Sequence, residues 1–152
     1  MPLETSITMF TQIGLALVLG ALLGLERIIA GKEAGMRTFG LVSVGSCLFV
    51  IIGNLVTQSW GTTTAFDPLR IASAIVTGIG FIGAGLIIFQ HELKGLTTAA
   101  VLWVTSAIGV AVGFGYYTLA TFVTFVTLFV LVGLWFVERT IERYVHTHTK
   151  QR

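Results

Sequence analysis

The sequence predicts an all-α membrane protein, a compact bundle of five transmembrane helices, and three observations carry that prediction. Hydrophobic residues make up 55% of the 152-residue chain and charged residues only 11%. The apolar residues gather into runs of membrane-spanning length, and nearly all basic residues fall between or after those runs. At about 20 residues per crossing of a roughly 30 Å hydrocarbon core, the chain has room for about five or six spans and no additional soluble domain.

Five runs emerge, at 7–25, 39–57, 70–90, 97–114 and 118–137. Residues 1–137 therefore read as one transmembrane domain, followed by a basic cytoplasmic tail at 138–152. None of the runs shows the period-two alternation of barrel strands, so helices are expected throughout. The first follows Met-Pro-Leu-Glu, which lacks a basic n-region, so this span is expected to be retained rather than cleaved as a signal peptide. The second follows a loop crowded with Glu26, Arg27, Lys32, Glu33 and Arg37. The third starts with Asp67 as an N-cap, Pro68 in the first turn and Arg70 one turn later. The fourth follows Lys94, and the fifth carries the ladder Thr118, Thr121, Thr124 and Thr127.

Charge sets an expected orientation. Arg27, Lys32, Arg37, Lys94, Arg139, Arg143, Lys150 and Arg152 lie on one side of a five-span chain, and Arg70 alone lies on the other. The positive-inside rule then puts the N-terminus outside and the C-terminus in the cytoplasm. The net charge of +2 follows from this placement, with anionic headgroups and the lipid bilayer as the partner and no nucleic acid. A lone Cys47 in mid-span forms no intramolecular disulfide and reads as a buried thiol.

Glycine is the most distinctive element of the spans. Gly78-Ile-Gly80-Phe-Ile-Gly83 matches the letters of a dinucleotide fingerprint, but that fingerprint needs a preceding strand and a soluble βαβ unit. Inside an apolar span such residues serve close helix approach instead. Gly20 with Gly24, Gly109 with Gly113, and Ala74, Gly78, Gly80, Gly83 and Gly85 are the expected helix-packing positions, with a possible homo-oligomer face among them. On this reading, leucine at Gly80 or Gly83 disrupts the bundle.

Polar residues offer few other handles. Glu26 follows an unbroken apolar run, where a charge needs a partner, and Arg37 is the expected one. Solvated interfacial anchoring is the competing reading, and for Asp67 with Arg70 it is a helix cap plus a one-turn ion pair. Buried Ser and Thr hydroxyls are expected to bond the carbonyl one turn back, whereas Asn54 needs another helix or a polar site. His146 and His148 supply too few ligands for a metal, and no nucleophile stands with a base, so no catalytic residue, metal site or cofactor is expected and the chain reads as non-enzymatic.

Several blocks occur together: Gly24-Leu-Glu-Arg27, Ala34-Gly-Met-Arg-Thr38, Asp67-Pro-Leu-Arg-Ile-Ala72, Gly78 through Ile87, and Gly95-Leu-Thr-Thr through Gly109. As a set, over roughly residues 14–115, they resemble the MgtC/SapB family of bacterial inner-membrane proteins. The resemblance implies a multi-pass protein of the bacterial inner membrane, tied to growth at low magnesium, membrane potential and, in one branch, virulence. It implies a regulatory role, including restraint of the proton-driven ATP synthase. Glu26, Arg37, Asn54, Asp67, Arg70 and Trp103 match polar or aromatic family positions. The tail here is too short for the soluble C-terminal domain that many relatives carry. Ala74 stands where some relatives have Gln and Val104 where some have Cys, so virulence-type activity is not carried over.

Two functions are therefore expected in competition. One is a non-enzymatic regulator that binds a protein partner or itself. The other is a Mg²⁺ or cation transporter or channel, formed by an oligomer with the third span lining the path. Mg²⁺ keeps its waters and is held by one or two carboxylates, and every acid lies at or beyond the edge of a span, which favours the regulator.

Overall fold

In the computed structural model, which describes residues 3–60, 67–90 and 92–149, each apolar run is an α-helix. They are α1 (Leu3–Ile29), α2 (Met36–Trp60), α3 (Pro68–Leu86), α4 (Leu96–Gly113) and α5 (Tyr117–Thr149). All five are long and apolar enough to cross a membrane. Continuous helix is the natural state for such segments, because hydrocarbon offers no partner for a free backbone N–H or C=O.

Turn chemistry decides where the helices stop. α1 and α4 both end in a Schellman turn. Lys32 N–H donates to the Arg27 carbonyl and Gly31 N–H to that of Ile28, both at 2.9 Å, with Gly31 at φ +69°. Tyr116 and Gly115 repeat the pattern on the carbonyls of Ala111 and Val112, with Gly115 at φ +83°. Glycine fits both positions because the left-handed region costs it nothing. α3 begins as its sequence demands: Asp67 Oδ1 accepts from the Leu69 N–H at 2.9 Å, and Pro68 occupies the first turn.

Two boundaries differ from expectation. α3 stops at Leu86 rather than 90, because Ile87 turns to extended backbone at φ −88° and ψ 111°. Two short strands, β1 (Ile88–Gln90) and β2 (Glu92–Lys94), then pair antiparallel, with Ile88 opposite Lys94. At the other end, α5 runs past the apolar stretch to Thr149, so residues 138–149 continue the helix. Lys150 and Arg152 lie outside the described residues.

The centre of the bundle is α1, α2 and α4. Over half of the apolar stretch of α4 (56%) is buried inside the protein, against 11% of that of α3 and 17% of that of α5. Glycines bring the three central helices together. A Cβ on Gly24 would sit 2.6 Å from Met36 Cα, and one on Gly20 would sit 2.7 Å from the Phe39 carbonyl oxygen, which fixes α1 antiparallel to α2. A Cβ on Gly109 would strike the Ser43 carbonyl, and one on Gly113 would lie 2.7 Å from Val50 Cβ, so α2 and α4 run parallel. Backbone meets backbone at these crossings, which is how membrane helices gain dispersion contact without a hydrophobic driving force.

Side chains complete the core. Leu23, Phe39, Leu102, Ile108 and Val112 are fully buried. Ser46 and Ser106 share a 2.8 Å hydrogen bond between α2 and α4. Thr105, Thr124 and Thr127 donate to the carbonyls of Val101, Ala120 and Val123 one turn back, as expected of hydroxyls in a span. At the far end of α5 the Arg139 guanidinium lies 4.5 Å from the Trp135 ring centroid, an interfacial cation–π contact.

The glycines of α3 require a correction. Gly83 packs on Ala99 of α4, where a Cβ would sit at an ordinary 3.7 Å. Positions Gly78, Gly80 and Gly85 meet no atom of the described chain within 4 Å. α3 touches the bundle through Ile79 and Gly83; Gly78 and Gly85 lie on the far side of the helix and Gly80 at the edge of the contact, so a Cβ at any of these three would meet open space. Two substitutions separate these roles. Gly109→Leu should overpack the α2–α4 crossing and lower thermal stability in detergent by more than about 3 kcal/mol. Gly80→Leu should leave it within about 0.5 kcal/mol of the parent. Melting of the purified proteins checks both; equal losses would contradict the placement of α3.

Candidate functional site

Unequal helix lengths create the most polar feature of the bundle. At 1.5 Å per residue, α1 and α2 are about 40 and 38 Å long, while α4 between them is about 27 Å. α4 ends at Gly113, and the first turns of α1 and the last turns of α2 extend beyond it. The space left over is a cleft of about 330 Å³ lined by Glu4, Thr8, Gln12, Asn54 and Gln58 with the end of α4 as its floor.

Gln12 is the residue that builds this floor. It is 9% exposed, and its Nε2 donates to the carbonyls of Val112 and Gly113 at 3.1 and 3.2 Å. Two carbonyl oxygens can be met only by the amide NH₂, so its orientation is fixed and its Oε1 remains an acceptor. Gln12 thus caps the Gly113 carbonyl from a neighbouring helix and adds a second donor to that of Val112, which Gly115 already meets. Thr8 is locked in a related way: its hydroxyl donates to the Glu4 carbonyl at 2.9 Å, leaving its lone pairs outward. Asn54 is half-buried beside them and makes no hydrogen bond among the described residues. Of the two roles expected for Asn54, a partner on another helix or a place in a polar site, the structure shows its side chain on the cleft wall.

A second feature lies at the opposite end of α1. Arg27 is 3% exposed, and its Nε donates to Oε2 of Glu26. Glu26 was expected to pair with Arg37. Arg37 instead stands exposed at the start of α2 and makes no ion pair among the described residues. The reason is the Schellman turn, which ends α1 just after this pair and keeps Arg27 on the buried face against the bundle. A buried guanidinium needs its counterion adjacent, and Glu26 is the one in reach.

The remaining sequence candidates are dispersed. Asp67 and Arg70 line a shallow groove at the start of α3 with Ser73 and Ala74. The expected ion pair between them is absent among the described residues; the contact present is from Arg70 N–H to the Asp67 carbonyl at 3.0 Å. Trp103 is half-exposed on α4, away from the cleft residues. Cys47 is fully buried. Among the described residues no three His, Cys, Asp or Glu side chains gather as metal ligands.

Sequence reasoning missed Gln12 and Arg27. Both lie on the stripe Gln12, Ala16, Leu19, Gly20, Leu23, Gly24 and Arg27, every member of which is buried. That i, i+4, i+7 spacing was the available signal, because a polar residue on the packed face of a span must find a protein partner.

The fold and these sites define a multi-pass membrane protein with a polar cleft at one end and a buried ion pair at the other. Residues 13–140 match the MgtC family, and the chain belongs to that family. It is 44% identical over 124 residues to the "Putative magnesium transporter YhiD" of Escherichia coli K12, covering 76% of this chain and 55% of that protein. It is 40% identical over 129 residues to Protein SrpB of Synechococcus elongatus, covering 78% and 70%. Protein MgtC of Brucella abortus 2308 is 44% identical over 101 residues, covering 66% and 40%. The chain thus spans little more than half of the Escherichia coli relative and less of the Brucella one. No solved structure matches it.

The ion pair generates a test. Arg27→Ala leaves Glu26 uncompensated at a buried position and should cost about 3–5 kcal/mol of stability. Arg37→Ala should cost less than about 0.5 kcal/mol. The double change Glu26→Gln with Arg27→Met should recover part of the loss, since no charge is then buried alone. Thermal unfolding in detergent reads all three; an Arg37 effect as large as that of Arg27 would restore the original pairing.

Proposed function

We propose that this chain is a non-enzymatic regulator of ion homeostasis in the bacterial inner membrane, and that it acts by binding another membrane protein through the outward face of α3. The composition of that face carries the reading. Helical spacing places Arg70, Ser73, Ala74, Thr77, Phe81, Ala84 and Gly85 on the side turned away from the bundle, all exposed, so that a single large apolar ring, Phe81, stands among small and hydroxyl-bearing residues. The outward face of α5 is built instead from Phe122, Phe125, Val126, Phe129 and Val130. Large apolar side chains suit lipid; small residues and hydroxyls suit close contact with another helix.

The magnesium link comes from the relatives. One is named for magnesium transport and another is Protein MgtC, and magnesium homeostasis is the process we assign to this chain. The proton-driven ATP synthase is the partner that the family resemblance implies. The basic residues Arg27, Lys32, Arg37 and Lys94 share one end of the bundle, while Glu4, Asp67 and Arg70 share the other, which supports the orientation with the N-terminus outside.

Transport is the competing reading, and the bundle's interior counts against it. Below Gln12 the buried face of α1 continues as Ala16, Leu19 and Leu23, an apolar stretch that offers a hydrated ion no ligand. The described acids sit at helix ends, in loops or on the extension of α5. A coupling site near the midplane has no carboxylate to use.

Two measurements test the proposal. A photo-crosslinker at Ala84 in native membranes should trap a discrete membrane-protein partner, one at Phe129 should trap lipid, and Gly80→Leu should reduce the Ala84 adduct at least fivefold at unchanged abundance. Purified protein in sealed, dye-loaded liposomes should admit Mg²⁺ no faster than empty liposomes. Rapid, protein-dependent entry would overturn the regulator in favour of a transporter.

A further inference from the structure

We propose that the cleft above α4 binds one hydrated, hard divalent cation. The site stands on the geometry of the cleft alone and holds whether or not α3 has a partner. Its ligand atoms are mostly oxygens, from the Glu4 carboxylate, the Thr5 and Thr8 hydroxyls and the amides of Gln12, Asn54 and Gln58, with the Met9 thioether beside them. No Lys, Arg or His lines it.

Three independent features make the cleft attractive to a cation. First, the Gln12 side chain is nine-tenths buried, and its NH₂ is committed to the carbonyls of Val112 and Gly113, so the atom left without a partner among the described residues is the acceptor Oε1. Second, the Thr8 proton is given to the Glu4 carbonyl, so the hydroxyl offers lone pairs. Third, α2 ends here, its C-terminus carrying about half a negative charge, which offsets the positive N-terminus of α1 and leaves the Glu4 carboxylate to set the sign of the cleft. With Glu4 as the one formal charge, an anion is repelled and a cation is drawn in.

Size selects the state of that cation. At about 30 Å³ per water, the cleft holds about ten waters, enough for an ion that keeps most of its hydration shell. One carboxylate with neutral oxygens and retained water is how Mg²⁺ is usually held, and Ca²⁺ shares the oxygen preference. A thiolate-seeking metal finds no cysteine in the lining, and the lone Met9 thioether is outnumbered by oxygens. With a single carboxylate the affinity belongs in the weak class of oxygen sites, Kd about 10⁻⁴–10⁻³ M. A site this weak responds to changes of ion concentration in the surrounding medium.

The experiment uses the full chain in nanodiscs of uncharged phosphatidylcholine, with Mn²⁺ as a paramagnetic stand-in and its free fraction read by electron paramagnetic resonance. One saturable Mn²⁺ site per chain is expected, displaced by Mg²⁺ but not by K⁺ at the same ionic strength. Glu4→Gln and Asn54→Leu should each weaken binding at least tenfold. Glu33→Gln, an exposed acid at the other end of the bundle, should leave it unchanged. Glu4 is itself exposed, so its substitution decides the matter even where Asn54→Leu lowers the melting temperature. Mn²⁺ uptake no greater than that of empty nanodiscs, or binding that Glu4→Gln does not alter, overturns the proposal.

Discussion

Backbone contact between α1, α2 and α4 is the constraint on which the rest of the protein depends. In hydrocarbon the exclusion of water rewards no particular helix pairing, so association rests on dispersion, hydrogen bonds and shape. Gly20, Gly24, Gly109 and Gly113 remove the side chains that would hold these helices apart. The cleft and the buried ion pair are then placed by that trio. The Ser46–Ser106 bond links α2 to α4, Gln12 reaches from α1 to the end of α4, and Arg27 closes the other end of the buried stripe. α3 and α5 are added at the margin, and the two margins differ in chemistry.

Much of this fold was legible before any coordinates. Hydropathy gave five spans, the Asp67-Pro68 start of α3 is as its residues dictate, and hydroxyls such as Thr105 and Thr124 bond backward along their own helices. These are local properties, decided by a few neighbouring residues. Partner choice between helices was harder. Spacing alone marks Gly20 and Gly80 alike as small residues in a span, yet one sits at a crossing and the other meets nothing in the chain. Which side of a helix faces a neighbour depends on the assembled bundle. The Glu26 partner was misread for the same reason: proximity in a loop favoured Arg37, while the turn at Gly31 sets Arg27 against the bundle beside Glu26. The cleft was invisible because it arises from a difference in helix length, to which Asn54 alone gave a clue.

The two ends of the bundle are built on opposite logic. One is open, lined by a carboxylate, hydroxyls and amides among a few apolar side chains and floored by a capped helix terminus. The other is closed by a charge pair that is almost entirely covered. Between them the core is apolar apart from hydroxyls, nearly all of them hydrogen-bonded within the protein; Ser43 is the exception, with a buried Oγ that finds no partner among the described residues. That hydroxyl sits where α1, α2 and α4 converge, at a point where a small side chain is required by Gly20 and Gly109. Closeness of approach there outweighs one unmet hydrogen bond, which costs about 1–3 kcal/mol.

The length of α3 carries a consequence for how the protein sits among lipids. Its 19 residues span about 28 Å, slightly less than a typical hydrocarbon core of about 30 Å. A helix with surplus length absorbs changes in bilayer thickness by leaning over, and α3 has none to spare. Leaning would draw Asp67 and Arg70 beneath the headgroups, where an ionised side chain costs several kcal/mol. The charges at the start of α3 therefore oppose its leaning, and a thicker bilayer is met by local thinning around α3 rather than by a change of its tilt.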